Sequence, residues 1–317
     1  MKLLIFLIPL LLLMYGKVQA YPVTVESCGK PVIFGHRPEH AVIHDINMSE
    51  MAFVLDLQPY IRGLSGFSGM NKLTPELIGE KGSIPEIAPR YPTLEQIVAA
   101  GADLFFAGWN YGMRPGGDVT PESLAEQGIP SLILSESCLR AGHLPHPPTI
   151  DRLLYDDEIR LGRVFDREVQ AHRLVAVWKH EIQTIEEALK GTSPIRVFLY
   201  DSGRDRPFTA GRYALVSELI RLGGGSNIFN DLPINWGAAS WETAAFRDPE
   251  AIIIVDYQSG VQDSWAFLQQ HPLMSETTAL RTGHVLVLRY DEVTPSPNNI
   301  GAIRKIAAFL HPAAIAP

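Results

Sequence analysis

The sequence predicts an α/β fold of two Rossmann-like lobes with mostly parallel sheets, joined by a single long helix. Short apolar runs typical of buried strands alternate with amphipathic helical patterns in both halves of the chain. Between the halves a helical pattern continues from about residue 166 to residue 190. A helix of that length would span roughly 37 Å at 1.5 Å per residue, which suits a strut between two lobes better than a crossover within one.

The first twenty residues have the parts of a secretory signal peptide. Lys2 precedes an unbroken apolar run over residues 3–14, and the segment ends in Val18-Gln19-Ala20. The run is too short to cross a bilayer as a helix, which takes about 20 apolar residues. We therefore expect cleavage after residue 20, a mature chain that does not insert into the membrane, and a location in the periplasm of a double-membraned bacterium. Glu26, two residues before Cys28, argues against lipid attachment at that cysteine.

The charge and cysteine content narrow the classes of partner. Without Lys2 and Lys17 the mature chain carries 25 basic and 35 acidic residues, a balance that argues against nucleic acid and anionic membrane surfaces as partners. Cys28 and Cys138 are the two cysteines. Two free thiols are uncommon in secreted proteins, so we expect a disulfide between them, although the sequence alone gives no distance.

Predicted elements of the first half alternate in type. A strand is expected over residues 41–43 and a helix over 49–57 with Ser49 as its N-cap. A helix over 93–100, capped by Thr93, precedes a buried strand over 102–107. A helix over 120–127 is closed by Gly128 and is followed by a strand over 130–134. These elements form the predicted N-terminal lobe, residues 21–148.

Helical patterning then fills residues 149–190, with a break at 161–163 and Gly191 at the C-cap. The predicted C-terminal lobe covers residues 191–317. Its strands are expected over 195–200, 251–255 and 284–288, and its helices over 213–222 and 298–310. Gly223-Gly224-Gly225 ends the first of these helices.

Several motifs occur in a fixed order along the chain. Arg37-Pro38 precedes the first predicted strand of the first lobe, and Glu50 lies in the helix that follows. The longer motifs are PTLEQIVAAGADLFFAG (92–108), RPFTAG (206–211), LIRLGGGSNIFNDL (219–232), WGAASWETAAFRDPEAIIIV (236–255) and LRTGHVLVL (280–288). In this order the chain, from about residue 37 to residue 312, resembles the periplasmic binding proteins of ABC importers for iron–siderophore complexes, haem and cobalamin. The resemblance implies limited hinge motion and a small-molecule metal chelate held in the cleft between the lobes.

Two glutamates match docking positions of the resembled family. There, one exposed glutamate in each lobe pairs with arginines of the permease subunits of the importer. Glu95 in TLEQIV and Glu242 in SWETAA occupy those motif positions. Both also lie in the first turn of a predicted helix, where a carboxylate favours the helix dipole without any partner. The matched pair, one per lobe, favours docking over that purely structural role.

A glycine-rich loop after the strand at 102–107 supplies candidate ligand contacts, namely Trp109, Tyr111 and Arg114. Open parallel sheets bind ligands at the C-terminal ends of their strands. Aromatic faces with a few directed polar groups suit a bulky chelate. We therefore expect these side chains to line the cleft, with packing into the core as the alternative for Trp109.

The resemblance adds further aromatic residues to the expected cleft. Trp236 stands where the resembled cobalamin receptors present an aromatic ring to the ligand. Phe208, in the Pro-Phe-Thr turn, and Phe67, in GFSGM (66–70), fall at other cleft positions, although packing on its own lobe is the alternative for Phe208. Tyr290, which follows the last strand, lies at the same edge and is placed to stack on a ligand or donate to it. A cleft without exposed aromatic residues would instead favour a protein partner.

Three arginines determine which ligand class we expect first. Arg204 and Arg206 flank the Phe208 turn, and guanidinium groups suit catecholate, carboxylate or phosphate oxygens. With Arg114 they place an iron(III)–siderophore complex first, with cobalamin or haem as the alternative. The resembled cobalamin receptors carry an arginine near the last loop, where this chain has Pro295-Ser296-Pro297-Asn298.

Other functional classes have weaker support in the sequence. His36, His40 and His44 share a four-residue spacing, but Pro38 breaks the helix that would place them on one face. His143 and His146 flank Pro145 and would chelate weakly, so free-metal binding ranks behind a chelate and no resident metal or cofactor is expected. Neither GFSG around Ser68 nor the glycines at 223–225 forms a catalytic or phosphate-binding motif. We therefore expect a receptor without enzymatic activity. The sequence does not give the oligomeric state, but the receptor role needs only a monomer.

Overall fold

The N-terminal lobe is built on a parallel sheet of six strands. The computed structural model describes residues 21–69, 73–142, 148–257 and 260–315. In this lobe the elements are β1 (Val23–Ser27), β2 (Lys30–Phe34), β3 (Ala41–His44), α1 (Ile46–Phe53), β4 (Ile61–Ser65), α2 (Pro75–Lys81), β5 (Glu86–Ala88), α3 (Leu94–Ala99), β6 (Leu104–Trp109), β7 (Gly112–Met113), α4 (Pro121–Glu126) and β8 (Ser131–Ile133). The strand order is β5-β4-β3-β6-β7, with β8 also paired to β6, while β1 and β2 form a separate antiparallel hairpin.

A helical segment follows and contains the long helix. A 3₁₀ helix covers Ser135–Ala141 and a π-helical turn covers Asp151–Tyr155, before α5 (Asp156–Val164) and α6 (Glu168–Ala188). The 21 residues of α6 correspond to about 31 Å at 1.5 Å per residue. Its first turns contact the N-terminal lobe, where Gln170 donates to Asp56, and its later turns contact the C-terminal lobe, where Glu181 pairs with Arg304.

The C-terminal lobe repeats the α/β plan on a smaller parallel sheet. Its elements are β9 (Ile195–Tyr200), β10 (Phe208–Ala210), α7 (Leu215–Leu222), β11 (Gly225–Asn227), β12 (Trp236–Ala238), α8 (Trp241–Phe246), β13 (Ala251–Asp256), α9 (Val261–Gln270), α10 (Thr278–Thr282), β14 (Val285–Arg289), α11 (Tyr290–Val293) and α12 (Asn299–Leu310). The strand order is β11-β9-β13-β14, and β10 pairs with β12 as a separate antiparallel ribbon. The two-lobed α/β architecture predicted from the sequence is confirmed.

Three hydrophobic clusters account for the packing of both lobes. The largest contains the inward faces of both sheets together with Trp178, Ile182 and Ile185 of α6, so one apolar core continues from lobe to lobe. Two smaller clusters cover the outer faces of the N-terminal and the C-terminal sheet. Across the described ranges, no helix combines the length and apolarity that a membrane span requires.

Two helix boundaries differ from the prediction for identifiable reasons. Ser49 was expected to cap α1, but the helix begins earlier: Asp45 accepts a hydrogen bond from the Ile46 N–H at 2.8 Å, and Ser49 lies inside the helix, donating to the Asp45 carbonyl. The predicted break at 161–163 was also wrong, because α5 continues through Gly162 to Val164. A Cβ atom at Gly162 would lie 2.6 Å from the Ala171 Cβ, so this glycine allows α5 and α6 to approach closely.

The end of α6 also differs in detail. Leu189, not Gly191, is the C-cap residue. Gly191 lies two positions further on with a φ of +85°, a left-handed conformation that glycine adopts without steric cost, and it turns the chain toward β9.

Cys28 and Cys138 form a disulfide, with their Cα atoms 5.2 Å apart. The bond joins the turn between β1 and β2 to the 3₁₀ helix after β8. It therefore ties the N-terminal hairpin to the body of the lobe.

Removing this disulfide should destabilise the N-terminal lobe. The bond closes a segment of 110 residues, and loops of that size are stabilised by about 3–5 kcal/mol in the chain-entropy model. We expect the double variant Cys28→Ser/Cys138→Ser to unfold at a lower temperature in calorimetry. Reduction of the unaltered protein is the matched control and should reproduce the shift. An unchanged midpoint in both would contradict this role for the bond.

Candidate functional site

The C-terminal ends of parallel strands from both lobes meet at one place. Asn110 and Tyr111 follow β6 of the N-terminal lobe. Asp201, Tyr257 and Tyr290 directly follow β9, β13 and β14 of the C-terminal lobe. Open α/β sheets bind ligands at such strand ends. Here the strand ends of both sheets face a shared cleft.

A cavity of about 200 Å³ lies at this meeting point. Its described lining residues are Asn110, Tyr111, Arg140, Asp201, Phe208, Asn235, Trp236, Tyr257, Tyr290 and Thr294. Five of these side chains are aromatic. The cavity therefore offers mainly ring faces, with a small number of directed polar groups, as binding pockets for organic ligands generally do.

Phe208 and Trp236 form a stacked pair in the wall of the cavity. Their ring centroids lie 6.5 Å apart with planes 9° from parallel. The pair is positioned by the antiparallel ribbon of β10 and β12, in which Phe208 is opposite Ala238 and Trp236 is opposite Ala210. The buried Thr209 hydroxyl anchors this ribbon by donating to the Leu199 carbonyl at 2.6 Å.

Each tyrosine hydroxyl in the cavity donates to a buried carboxylate. The Tyr257 hydroxyl lies 2.7 Å from Asp201 Oδ1, and the Tyr290 hydroxyl lies 2.8 Å from Asp45 Oδ2. The Tyr111 hydroxyl donates to Glu136 Oε2 at 3.2 Å. Burial raises the pKa of all three phenols, and the neighbouring carboxylates raise it further. The tyrosines are therefore neutral phenols at neutral pH.

Glu136 connects the cavity to the opposite lobe. Its Oε1 atom accepts the backbone N–H of Leu215, the first residue of α7, at 2.6 Å. Ala214, the N-cap residue of this helix, makes no side-chain cap hydrogen bond, so a carboxylate from the N-terminal lobe supplies an acceptor at the helix N-terminus. Burial raises the Glu136 pKa to about 7, although hydrogen bonds from Leu215 and Tyr111 favour the charged form.

Glu136 should make the stability of the protein depend on pH. Its pKa rises from the ordinary value of 4.5, which applies to the unfolded chain, to about 7 in the folded protein. Between pH 4.5 and pH 7 the folded protein therefore binds more protons than the unfolded chain. The free energy of unfolding should therefore fall as pH rises through the window, by up to about 3 kcal/mol from this group. We expect Glu136→Gln to flatten that slope in denaturant titrations at pH 4.5, 6 and 7.5.

The matched control is Glu187→Gln, which makes the same change at an exposed position of α6. It should keep the slope of the unaltered protein. A Glu136→Gln variant with the full slope would show that other buried acids produce it.

The structure places the predicted aromatic residues in two groups. Tyr111, Phe208, Trp236 and Tyr290 line the cavity. Trp109 is half-buried and packs against the outer core of the N-terminal sheet, which was the alternative to a cleft position. Phe67, predicted to face the cleft, is 1% exposed and belongs to the main core. That prediction was wrong, because the loop after β4 turns the ring inward.

None of the three predicted arginines is among the described residues of the cavity wall. The Arg114 guanidinium lies over the Tyr91 ring at 4.5 Å, and that of Arg204 lies over the Phe267 ring at 5.3 Å. Arg206 donates from Nε to the Ala239 carbonyl at 3.1 Å. Each guanidinium therefore contacts an aromatic ring or a carbonyl of its own lobe. The position of these arginines near strand ends in the sequence did not predict those contacts.

Sequence reasoning missed Asp201, Tyr257 and Arg140. The rule that ligands bind at the ends of parallel strands applies directly to the first two, since each is the first residue after a strand. Arg140 lies on the 3₁₀ helix after β8, and its guanidinium lies against the side-chain amide of Asn110. Nothing in the local pattern of the sequence distinguishes Arg140 from a surface arginine.

Glu95 and Glu242 are exposed in the first turns of α3 and α8, one helix in each lobe. Their own backbone N–H groups and the hydroxyls of Thr93 and Ser240 keep the pKa of both carboxyls below the ordinary value, the Ser240 hydrogen bond being the larger effect for Glu242. Both are therefore fully ionised and accessible at neutral pH. Neither forms a salt bridge with a described residue.

Histidines form no metal site among the residues that the structure describes. His44 is buried, its Nδ1 lies 2.9 Å from the Ser65 hydroxyl, and burial lowers its pKa to about 3. In the described ranges no group of three or more His, Cys, Asp or Glu side chains is arranged to hold a metal ion. His143 and His146 lie outside the described residues, as does the predicted signal segment 1–20.

A larger depression of about 750 Å³ lies on the N-terminal lobe between β1 and α5. Its most buried polar group is Asp157, which accepts from Arg160 and from the Ser135 hydroxyl and N–H. Arg160 also donates to the Glu26 and Ile133 carbonyls. These groups hold the hairpin to the lobe and are satisfied within the protein, so the smaller cavity between the lobes is the better candidate site.

Similar structures share the two-lobed fold. A periplasmic binding protein from Veillonella parvula DSM 2008 matches with a TM-score of 0.79 and 23% identity, covering 92% of this chain and 97% of that one. The structure of an ABC-type Fe³⁺-hydroxamate transport system from Saccharomonospora viridis DSM 43017 matches with a TM-score of 0.78 and 20% identity, covering 92% and 100%. At these identities the likeness establishes the fold.

A curated relative adds a sequence match. The vitamin B12-binding protein of Yersinia pestis (strain Pestoides F) is 30% identical over 175 residues, which are 55% of this chain and 56% of the relative. The chain thus spans about half the length of the curated relatives it matches. Residues 55–292 match the family model described as periplasmic binding protein. The chain belongs to the periplasmic binding protein family.

Proposed function

We propose that this protein captures a small metal chelate between its lobes and delivers it to an ABC-type importer of the inner membrane. The observation that carries the proposal is the aromatic cavity where strand ends of both lobes meet. The family and the predicted secretory segment agree with a receptor that works outside the cytoplasm. The tyrosines are held as neutral phenols, which favours binding over proton transfer, and the proposed role requires no catalytic step.

Within this class we place a cobalamin-type corrinoid first and an iron(III)–siderophore complex second. The siderophore was expected first because of Arg114, Arg204 and Arg206, and those guanidinium groups contact other parts of the protein. Arg140 is the basic residue among the described lining residues. The aromatic wall and the similarity to a vitamin B12-binding protein both support a corrinoid.

The size of the cavity indicates how such a ligand would sit. A volume of about 200 Å³ accommodates the edge or side chains of a chelate, not the whole molecule. The stacked rings of Phe208 and Trp236 would contact an apolar face of the chelate. The rest of the ligand would occupy the opening between the lobes.

Trp236 should be required for binding. We expect saturable quenching of tryptophan fluorescence when cyanocobalamin is added to the mature protein. In Trp236→Ala the dissociation constant should rise by roughly 30-fold, because a buried aromatic anchor typically contributes about 2 kcal/mol. Ferrioxamine B and haem, titrated in parallel, test the other ligand classes.

Trp265→Ala is the matched control, since Trp265 packs against the outer core of the C-terminal lobe, away from the cavity. It should leave the dissociation constant unchanged. Equal losses in both variants would indicate a general effect on the fold. The absence of binding to every chelate would refute the proposed function.

Glu95 and Glu242 should act in delivery and not in capture. Both are exposed and ionised, one on each lobe, and neither lines the cavity. We expect Glu95→Ala/Glu242→Ala to bind the chelate normally and to lose most of the importer-dependent uptake in cells that lack the chromosomal copy. Glu126→Ala, an exposed glutamate at the end of α4, should keep full uptake. Normal uptake by the double variant would exclude these residues from docking.

A further inference from the structure

Asn235 is a buried polar residue in the wall of the cavity. It is 4% exposed and directly precedes Trp236, the first residue of β12. Its backbone carbonyl accepts the Gly211 N–H at 2.7 Å, and its side-chain Oδ1 accepts the Trp236 N–H at 2.8 Å. These two hydrogen bonds fix both the backbone and the side chain of Asn235 before a ligand binds.

The hydrogen bond to Oδ1 also determines which end of the Asn235 amide is the donor. An amide nitrogen does not accept hydrogen bonds, so the atom next to the Trp236 N–H is the oxygen, and the other atom is the NH₂ nitrogen. No described residue accepts a hydrogen bond from this Nδ2 atom. The two N–H donors of a buried and fixed side chain are therefore unpaired in the cavity wall.

The other hydrogen-bond donors of the described wall are engaged or shielded. The three tyrosine hydroxyls donate to carboxylates, and the Thr294 hydroxyl donates to a backbone carbonyl at 2.9 Å. The Arg140 guanidinium lies against the Asn110 amide. The indole nitrogen of Trp236 is shielded from solvent, so a ligand does not reach it in this arrangement of side chains. The Asn235 NH₂ group remains as a buried donor for a ligand.

A buried donor restricts which group of a ligand can lie beside it. A ligand that enters the cavity displaces water from the NH₂ group, and a buried donor left without an acceptor costs free energy. The ligand should therefore present an acceptor at this point. Contact with the rings of Phe208 and Trp236 is not directional, whereas a hydrogen bond is. The hydrogen bond can therefore fix an orientation that the ring contact alone leaves free.

We infer that Asn235 donates a hydrogen bond from Nδ2 to an oxygen acceptor of the bound chelate and so fixes the orientation of the chelate on the Phe208–Trp236 pair. The acceptor is a carbonyl oxygen, as in a carboxamide or hydroxamate group, or a phosphate oxygen. The inference rests on the proposed function, and it adds a binding residue and the chemical class of the ligand group that this residue binds.

Asn235→Asp tests the donor while keeping the hydrogen bond that fixes the side chain. The carboxylate has nearly the same shape and still accepts the Trp236 N–H, but it has no N–H group and repels an oxygen acceptor. At pH 8 we expect the dissociation constant of cyanocobalamin to rise at least tenfold, which corresponds to about 1.4 kcal/mol. Asn235→Ala removes both the donor and the fixing hydrogen bond, and it should weaken binding at least as much.

Asn230→Asp is the matched control, because it makes the same change at an exposed position of the same lobe. It should bind cyanocobalamin like the unaltered protein. The visible circular dichroism of the bound corrinoid reports its orientation. At saturating ligand this spectrum should change in Asn235→Asp and remain unchanged in Asn230→Asp. Thermal unfolding of each variant shows whether the fold is retained.

A second ligand locates the acceptor. Dicyanocobinamide keeps the carboxamide side chains of cyanocobalamin and lacks the nucleotide with its phosphate. An equal loss of affinity for both ligands in Asn235→Asp would assign the hydrogen bond to a carboxamide carbonyl, and a loss confined to cyanocobalamin would assign it to the phosphate. If ferrioxamine B is the chelate that binds, the same comparison of variants with that ligand tests a hydroxamate carbonyl.

The outcomes separate the two proposals. An unchanged dissociation constant in both Asn235 variants would overturn the inference and leave the receptor function standing. A loss of affinity in Asn235→Ala alone would also overturn it, because Asn235 would then act only by holding the start of β12. Failure of the unaltered protein to bind any of these chelates would refute both the inference and the function on which it rests.

Discussion

The continuous apolar core along α6 is the constraint on which the geometry of the site depends. Trp178, Ile182 and Ile185 of this helix belong to the same cluster as the inward faces of both sheets. A close-packed interior resists sliding, because small displacements open voids or create clashes. The two sets of strand ends are therefore held facing each other before any ligand arrives. A pre-formed cleft binds with a smaller loss of conformational entropy than one that must be assembled.

Hydrogen bonds between the lobes reinforce this arrangement at the edge of the cleft. Asn47 donates to the Pro295 carbonyl at 3.1 Å, and Asn298 donates to Glu50 at 2.8 Å. Glu50 is buried near Asp291, and burial followed by the Asp291 charge raises its pKa well above the ordinary value. The loop from β14 to α12 is thus fixed to α1 of the other lobe. In the resembled cobalamin receptors this loop region carries an arginine, and here its polar groups connect the lobes.

The sequence predicted periodic elements better than side-chain directions. The strand over 195–200 and the helix capped by Thr93 appear where expected, because burial patterns and caps are local signals. The positions of the Arg114 and Arg204 side chains depend on aromatic rings that are distant in the sequence. Proximity to a strand end therefore did not predict where these side chains lie. Asp201 and Tyr257 follow the rule that ligands bind at the C-terminal ends of parallel strands. Their hydrogen bond to each other connects the ends of two strands, so only the folded structure reveals it.

Binding and the contact between lobes involve the same side chains. Tyr290 lines the cavity and donates to Asp45 across the cleft, while Tyr111 lines it and donates to Glu136, which in turn holds the first turn of α7. A ligand that rests on these rings therefore contacts groups whose hydrogen bonds join the lobes. Since a ligand shifts an equilibrium only by its differential affinity for two states, ring contacts made while these bonds persist favour the arrangement of the lobes in this structure. Under the proposed function, release of the ligand would require these hydrogen bonds between the lobes to break, and the two proposed docking residues, Glu95 and Glu242, lie on different lobes.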